Sequence, residues 1–231
     1  MKYLLALLMT FSMTAQAGII PNWYGYTDTG AQAIKFNDHS SGNDNSRFQM
    51  LLEAGSYAPN NQMGLYLYDV TTNSQVGGFF EIFNGVQSVG DFTNLTFDFD
   101  LHSITRTRGT GLVVHTTDIF TALDGNLFRD LATLNLSNLQ VGVYLNNAKG
   151  HNFFSHDDLN ADGVRHVGIY DTGAANNGLV FAWEDVYGGG DFDYNDMIIS
   201  ATDVSIDVPE PSTIALLGLA ALGLRLRKRK F

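Results

Sequence analysis

The carboxylate-rich segments in the last third of the chain are the residues best suited to chemistry. One segment runs from Trp183 to Asp196 and reads WEDVYGGGDFDYND. Its oxygen-bearing side chains are those of Glu184, Asp185, Asp191, Asp193, Asn195 and Asp196. Carboxylates held close together repel one another, so some of them must take up protons or share a cation. Because no Lys or Arg occurs from His166 to Leu224, the local sequence favours a bound cation.

Calcium is the cation that these ligands favour. Hard oxygen ligands select calcium over zinc or copper, and the chain has no cysteine to hold a softer metal. The three glycines at 188–190 allow a tight bend. If the following residues are extended, Phe192 and Tyr194 turn their rings inward while Asp191 and Asp193 face the ion. The alternative is a solvated acidic hairpin in which Asp and Gly serve turn geometry alone.

A second acidic segment, His156–His166, contains the opening of a calcium loop. It places oxygen ligands on alternate residues and follows them with a glycine for the sharp turn. These residues are Asp158, Asn160, Asp162 and Gly163. An EF-hand requires a glutamate at the twelfth position, where this chain has Ile169. We therefore expect at most a calcium loop closed by ligands from elsewhere, and an ordinary polar turn stays open as the alternative.

The elements that must position these segments are short strands. Apolar and polar residues alternate in Leu95–Leu101, and Gly, Asn and Asp clusters separate this run from others like it. We predict strands at Met63–Tyr68, Leu95–Leu101, Gly111–His115, Gln140–Leu145, Val164–Tyr170, Gly178–Trp183 and Met197–Ile206. The pattern predicts an all-β fold, a single β-sandwich of jelly-roll type, with one helix candidate at Asn126–Leu134.

The net negative charge and the lack of cysteine exclude some classes of function. Residues 18–207 carry seven basic and 23 acidic residues, and 20 of the 24 acids in the whole chain are aspartates. Such a surface repels nucleic acid and anionic membranes and attracts cations. Disulfides are excluded, so a loop-rich domain outside the cell needs another means of stabilisation. Calcium at the aspartate-rich loops meets that need.

Both ends of the chain have the composition of processing segments. Lys2 precedes an apolar stretch, Tyr3–Met13, and Ala15–Ala17 supplies small residues for a signal peptidase, so residues 1–17 are predicted to be a signal peptide. The last segment, 208–231, joins Pro-Glu-Pro to an apolar helix at 213–224 and a basic end. About 12 apolar residues span about 18 Å as a helix, which is short for a bilayer core of about 30 Å.

This last segment resembles the PEP-CTERM sorting signal of Gram-negative bacteria, which also ends some ice-binding proteins. The resemblance implies transient association with the inner membrane and removal of the tail by an exosortase-type membrane protease. The protein would then be released or attached at the cell surface. A simple C-terminal transmembrane anchor is the alternative.

A second resemblance lies in the acidic segments themselves. Asp162–Val167 followed by Phe181–Asp196 resembles the signature of the domain of unknown function numbered 4114, and the match covers Asp157–Ala201. That family occurs in exported and cell-surface bacterial proteins. The resemblance implies an exported β-rich module whose acidic motif lies at 157–201. The bounds of the whole β-sandwich domain, residues 18–207, follow from setting aside the two processing segments. The resemblance implies no activity, so the metal remains an inference from ligand chemistry.

Three functions are compatible with these features. The first is a non-catalytic exported β-sandwich that calcium stabilises. The second is a carbohydrate-binding module of an exopolysaccharide matrix, in which Trp23, Tyr24 and Tyr26 would stack on sugar rings unless they pack inward. The third is a glycoside hydrolase or lyase, which needs two carboxylates in one cleft. Because Glu184 and Asp185 are adjacent and point to opposite faces, we expect no enzyme.

Overall fold

The computed structural model describes residues 25–37, 43–58, 60–98, 103–121, 138–173 and 178–207. The predicted signal peptide, the helix candidate at Asn126–Leu134 and the sorting segment from 208 onward lie outside these residues. The strands are β1 (Ile34–Phe36), β2 (Asn43–Glu53), β3 (Gln62–Asp69), β4 (Ser74–Asn84), β5 (Asp91–Asp98), β6 (Ser103–Thr110), β7 (Val113–Thr121), β8 (Leu139–Asn146), β9 (Asn152–Phe154), β10 (Val167–Gly173), β11 (Gly178–Trp183), β12 (Met197–Thr202) and β13 (Val204–Ile206). A short 3-10 helix lies at Asp157–Leu159.

Across the described ranges, the strands form two antiparallel sheets. The six-stranded sheet has the order β13-β1-β8-β3-β4, with β9 also paired to β8. The seven-stranded sheet has the order β10-β11-β12-β2-β5-β6-β7. The prediction of an all-β fold is confirmed, and the two sheets are consistent with a β-sandwich. The jelly-roll connectivity stays a prediction.

The hydrophobic core lies between the two sheets. Leu65 and Val143 contribute to it from the six-stranded sheet, and Phe48, Phe181 and Ile199 from the seven-stranded sheet. All five side chains are fully buried. Burying one such side chain contributes about 1.5–3 kcal/mol, so this shared core holds the sheets together without a disulfide. Among the described residues, no helix has the length and apolar character needed to cross a membrane.

Three predicted strands are confirmed almost to the residue, namely Met63–Tyr68, Gln140–Leu145 and Gly178–Trp183. All three have a neighbouring strand on each side, and most of their residues are buried. Their apolar runs are long enough to be recognised without help from neighbouring strands. The strand predicted at Leu95–Leu101 corresponds to β5, which begins earlier, at Asp91.

Three other predicted strands differ from the structure in their ends. The run Gly111–His115 begins with the turn of a hairpin, and its strand starts at Val113. The run Val164–Tyr170 starts as a loop, because the N–H of Val164 donates to the Asp162 side chain, and its strand begins at Val167. The run Met197–Ile206 is two strands, β12 and β13, that belong to different sheets. The chain changes sheet at Asp203, which has a φ of 63°.

A buried hydrogen-bond network attaches the second acidic segment to the six-stranded sheet. The Tyr66 hydroxyl on β3 donates to Nδ1 of His156 over 2.6 Å, since Nε2 of that ring must donate to Oε1 of Gln140. The hydroxyl oxygen also accepts the His156 backbone N–H. The Tyr68 ring stacks on His156 with centroids 3.8 Å apart. Burial lowers the pKa of His156 to about 4, so the ring stays neutral and fixed in this network.

The close fit of Tyr66 against β8 gives a test of this arrangement. A Cβ added at Gly142 would lie 2.3 Å from the Tyr66 ring, which its bonds to His156 hold in place. We expect Gly142→Ala to lower the free energy of unfolding by about 1–3 kcal/mol through overpacking. Urea denaturation measures this effect. The matched control is Gly78→Ala on β4, where an added Cβ meets nothing within 4 Å; equal losses for both variants would contradict the prediction.

Candidate metal centre

The first acidic segment forms the loop between two strands of the seven-stranded sheet. Strand β11 ends at Trp183, β12 begins at Met197, and these two residues are paired in register. Residues 184–196, here called the acidic loop, therefore leave and re-enter the sheet at one point. The N–H of Asp196 donates to the Trp183 carbonyl over 3.1 Å and closes the base of the loop. This closure keeps the side chains of the loop in a small volume.

The backbone of the acidic loop is turned rather than extended. Its three consecutive glycines all have positive φ angles, between 49° and 87°. Phe192 and Tyr194 also have positive φ angles, 60° and 55°, which side-chain-bearing residues rarely adopt. The prediction that both rings pack inward is therefore wrong for Phe192, which is 46% exposed. The Tyr194 ring is buried, and its hydroxyl donates to the Arg165 carbonyl over 2.7 Å.

Three carboxylates of the acidic loop come together. One oxygen each from Glu184, Asp191 and Asp193 lies within 4.8 Å of the other two. Ligands placed 2.3–2.6 Å from a calcium ion lie at most about 5 Å apart, so the spacing of these oxygens suits one shared ion. We call these three residues the carboxylate trio. Asp191 and Asp193 are exposed, whereas Glu184 is 1% exposed.

One oxygen of the buried member of the trio lacks a partner. The Oε2 atom of Glu184 is buried and has no hydrogen-bond partner. Burial and the neighbouring Asp196 raise the pKa of Glu184 to about 8, with burial the larger cause. The charges of Asp191 and Asp193 act in the same direction. Without a cation, Glu184 therefore holds a proton at a pH where ordinary glutamates have lost theirs.

Arg165, whose carbonyl accepts the Tyr194 hydroxyl, has its side chain engaged elsewhere. Nη1 of Arg165 lies 3.1 Å from a carboxylate oxygen of Asp28. Within the ranges that the structure describes, no ion pair joins a Lys or Arg to residues 184–196. The repulsion in the trio is therefore not offset by a basic side chain of these ranges.

Asp162 joins the second acidic segment to the acidic loop. Its Oδ2 atom accepts the Gly188 N–H over 2.8 Å and lies 2.9 Å from Nε2 of His166. The other ring nitrogen of His166 lies 2.9 Å from the Glu184 carbonyl oxygen. Burial alone would raise the pKa of Asp162, but the hydrogen bonds from Gly188, His166 and Val164 lower it overall. The two segments are thus coupled through an ionised aspartate.

The other predicted ligands of the second segment face different partners. Asp158 is exposed and accepts the Tyr68 hydroxyl. Asn160 is buried, its Oδ1 accepts the Phe154 N–H over 2.7 Å, and its Nδ2 donates to the Phe154 and Val164 carbonyls. The structure therefore does not bring Asp158 and Asn160 to the trio. The Asn160 side chain therefore closes the loop through hydrogen bonds to the backbone of Phe154 and Val164.

The remaining predicted ligands of the acidic loop lie beside the trio without joining it. Asn195 donates to Asp193 from its backbone over 3.2 Å and from its side chain. Asp196 accepts the Asp185 N–H over 2.8 Å. The Asp185 side chain turns away from Glu184, as expected for adjacent residues, and its Oδ2 accepts from the Asn61 side chain over 2.8 Å. Burial is the main cause that raises the pKa of Asp196.

Glu53 and Asn61 belong to this region but were not predicted from the sequence. Asn61 is fully buried, and its side chain donates to Asp185. Burial is the main cause that raises the pKa of Glu53, and the charge of Asp185 adds to it. Glu53 is one of only four glutamates in the chain. Because it is far from the acidic loop in sequence, the sequence alone does not indicate that it lies near Asp185.

Comparisons with known proteins agree with both resemblances. Residues 132–203 match the family model described as Domain of unknown function (DUF4114), which is less than half of the chain. Residues 207–230 match the PEP-CTERM protein-sorting motif. The DUF4114 match thus comes first in the chain, and the PEP-CTERM match follows it. The DUF4114 region contains the acidic loop and Asp162, and the motif indicates an exported protein that an exosortase-type system sorts to the cell surface. The domain boundaries after residues 17 and 207 stay predictions.

Other comparisons are remote. No curated protein matches the chain. The galectin LEC-6 of Caenorhabditis elegans is 10% identical, covers 76% of this chain and 92% of its own, and has a TM-score of 0.20. The alginate lyase PA1167 of Pseudomonas aeruginosa is 11% identical, covers 80% of this chain and 62% of its own, and has a TM-score of 0.13. At these TM-scores neither likeness supports a conclusion about fold or function.

The raised pKa of Glu184 predicts how the calcium-free protein responds to pH. The folded state holds this proton more tightly than the unfolded state does, because the pKa rises from 4.5 to about 8 on folding. The stabilisation is complete below about pH 4.5 and is lost as the pH rises through about 8. Glu184→Gln removes this titration. In excess chelator, we expect the melting temperature of the wild type to fall relative to Glu184→Gln across this range, as measured by circular dichroism. Parallel pH profiles would contradict the prediction.

Proposed function

We propose that this protein is a non-catalytic, exported β-sandwich protein of the cell surface or extracellular matrix that calcium stabilises at the acidic loop. One observation carries the proposal. The buried Glu184 has an unpartnered Oε2 atom. One of its carboxylate oxygens also lies within 4.8 Å of an oxygen of Asp191 and an oxygen of Asp193. A cation shared by the trio would satisfy the buried oxygen and remove the repulsion together.

The ligand chemistry supports calcium in this role. The trio offers only carboxylate oxygens, and the three glycines of the acidic loop would allow backbone carbonyls to approach an ion as further ligands. Calcium takes six to eight such oxygens in flexible geometry. A buried polar atom without a partner costs about 1–3 kcal/mol, and more when it is charged. The positive φ angles of Phe192 and Tyr194 add about 1–3 kcal/mol each, which ion binding would offset.

An ion at the trio would stabilise more than the acidic loop. This loop joins β11 to β12, both of which lie inside the seven-stranded sheet. Through the bond from Gly188 to Asp162, the effect extends to the second acidic segment. That segment is in turn attached to the six-stranded sheet by His156 and Tyr66. Calcium would therefore order one end of both sheets, which suits a protein without disulfides.

A calcium titration of the melting temperature tests the proposal. At a calcium concentration of about 100 times Kd, binding stabilises the folded state by about 2.7 kcal/mol. At about 2–4 °C per kcal/mol, this corresponds to a rise of about 5–10 °C. We expect Glu184→Gln and Asp193→Asn to abolish most of this rise, because each removes a ligand charge. Differential scanning fluorimetry in calcium and in excess chelator measures it.

Asp171→Asn is the matched control for this titration. Asp171 is an exposed aspartate on β10 whose carboxylate accepts the Gly173 N–H, and it belongs to no acidic group. This variant should keep the full calcium response. Equal melting temperatures of the wild type in calcium and in chelator would contradict the proposal. So would equal responses of Asp171→Asn and Glu184→Gln.

The proposed route to the surface follows the two processing segments. A signal peptidase would remove residues 1–17, and residues 208–231 would associate with the inner membrane until an exosortase-type protease removes them. The matched PEP-CTERM motif supports the second step. Intact-mass measurement of the protein recovered outside the cell should give a chain that begins at Gly18 and lacks the basic end. A mass that includes residues 225–231 would contradict removal of the tail and favour an anchor.

Carbohydrate binding is a second candidate, and exposed aromatic rings on the acidic loop favour it. Tyr187 and Phe192 are 50% and 46% exposed and lie between members of the trio in sequence. Such rings stack on sugars, and calcium at the trio would help to orient them. Tyr26, in contrast, packs against a buried cluster around Tyr170, while Trp23 lies outside the described residues. A glycan array in calcium and in chelator, with Tyr187→Ala as the comparison, separates this role from a purely structural one.

A further inference from the structure

A second group of unpartnered buried oxygens lies on the other side of the Glu184–Asp185 pair. It consists of Oε1 of Glu53, Oδ1 of Asn61 and Oδ1 of Asp185, none of which has a hydrogen-bond partner. The Asn61 and Asp185 side chains are fully buried. None of these three residues belongs to the carboxylate trio. Such atoms are rare in folded proteins, and each requires an explanation.

The three side chains form one contact group. Nδ2 of Asn61 donates to Oδ2 of Asp185 over 2.8 Å, and Glu53 lies close enough for the Asn61 backbone and the Asp185 charge to act on its pKa. The Tyr57 N–H also donates to Oδ2 of Asp185 over 3.1 Å. A Cβ added at Gly55 would lie 2.3 Å from this same Oδ2 atom, so the backbone is packed closely against the carboxylate. These contacts orient Asn61 and Asp185, and they leave Oε1 of Glu53, Oδ1 of Asn61 and Oδ1 of Asp185 without a partner.

The hydrogen-bond donors near these three oxygens are too few to satisfy them. The nearby donors, Nδ2 of Asn61 and the N–H of Tyr57, are both already used by Oδ2 of Asp185. Within the described part of the chain, no Lys or Arg forms an ion pair with Glu53 or Asp185. A single water has only two hydrogens to donate and cannot satisfy three acceptor oxygens. A cation can bind several oxygens at once and would also neutralise the two carboxylates.

We propose that Glu53, Asn61 and Asp185 form a second site for a hard divalent cation, distinct from the trio. Two carboxylates and one amide oxygen are the ligand types that calcium and magnesium take, and waters would complete the coordination shell. The exported location of the protein favours calcium. This site goes beyond the proposed function, because it rests on other residues and other unpartnered atoms.

A cation at this second site would connect the two sheets. Glu53 ends β2 in the seven-stranded sheet, and Asn61 directly precedes β3 in the six-stranded sheet. The Asp185 carbonyl accepts from the Asn147 side chain over 2.8 Å, which adds the residue directly after β8. The N–H groups of Ala54 and Gly55 donate to the Asp196 carbonyl over 2.8 and 3.0 Å. The ion would therefore join the β2–β3 connection to the base of the acidic loop.

Native mass spectrometry of the full chain during a calcium titration tests the second site. We expect two calcium ions on the wild type. Glu53→Gln keeps the side-chain volume and an oxygen but removes the charge, and it should reduce the count to one. Asp185→Asn should do the same, and its agreement with Glu53→Gln guards against a folding defect in either variant. Circular dichroism confirms that both are folded.

Two further variants separate this proposal from the proposed function. Glu184→Gln should also lose one ion, and the double variant Glu53→Gln with Glu184→Gln should lose both. The matched control Glu81→Gln should keep two ions, since Glu81 is paired with Arg106 and Arg108. If Glu184→Gln keeps both ions while Glu53→Gln loses one, the second site stands and the proposed role of the trio fails.

Two results would overturn the second site. One is a folded Glu53→Gln and a folded Asp185→Asn that both bind as many ions as the wild type. The other is a wild type that binds a single ion, which only Glu184→Gln removes. A parallel titration with magnesium distinguishes the two hard cations. If Glu53→Gln binds one ion fewer than the wild type in calcium or in magnesium, the site is supported. If it binds as many ions as the wild type in both titrations, the site is overturned.

Discussion

Repulsion between the buried Glu184 carboxylate and its acidic neighbours is the constraint on which the rest of this structure depends. Glu184 is fully enclosed beside Asp191 and Asp193, and its second oxygen has no partner. Folding can tolerate such a group only if a proton or a cation neutralises it. The strained turns at Phe192 and Tyr194 bring the carboxylates together rather than apart. An exported, aspartate-rich protein without disulfides has good reason to use a cation here.

The all-β fold could be predicted from the sequence because alternation and turn residues are local signals. Gly178–Trp183 was found with its true bounds for that reason. The strand Asn43–Glu53 was missed, because its polar first half resembles a loop and only its neighbours β12 and β5 stabilise it as a strand. The change of sheet at Asp203 was also missed, since a left-handed aspartate within an apolar run leaves no clear sequence signal.

The candidate site could be predicted in part. The density of acids and the absence of bases identified the acidic loop, and the structure places Glu184, Asp191 and Asp193 together. Sequence spacing could not show that Asn160 is used in hydrogen bonds to its own loop, because calcium loops and polar turns share the same residue types. Nor could it identify Glu53, which reaches Asp185 only through the pairing of β2 with β12.

The most direct measurement of the central claim is a crystal structure of the protein grown in calcium, with anomalous data that locate the ion. The account predicts one anomalous peak among the trio, about 2.3–2.6 Å from oxygens of Glu184, Asp191 and Asp193. A structure in saturating calcium with no peak there, and with Glu184 bonded through a proton to a neighbouring carboxylate, would contradict it.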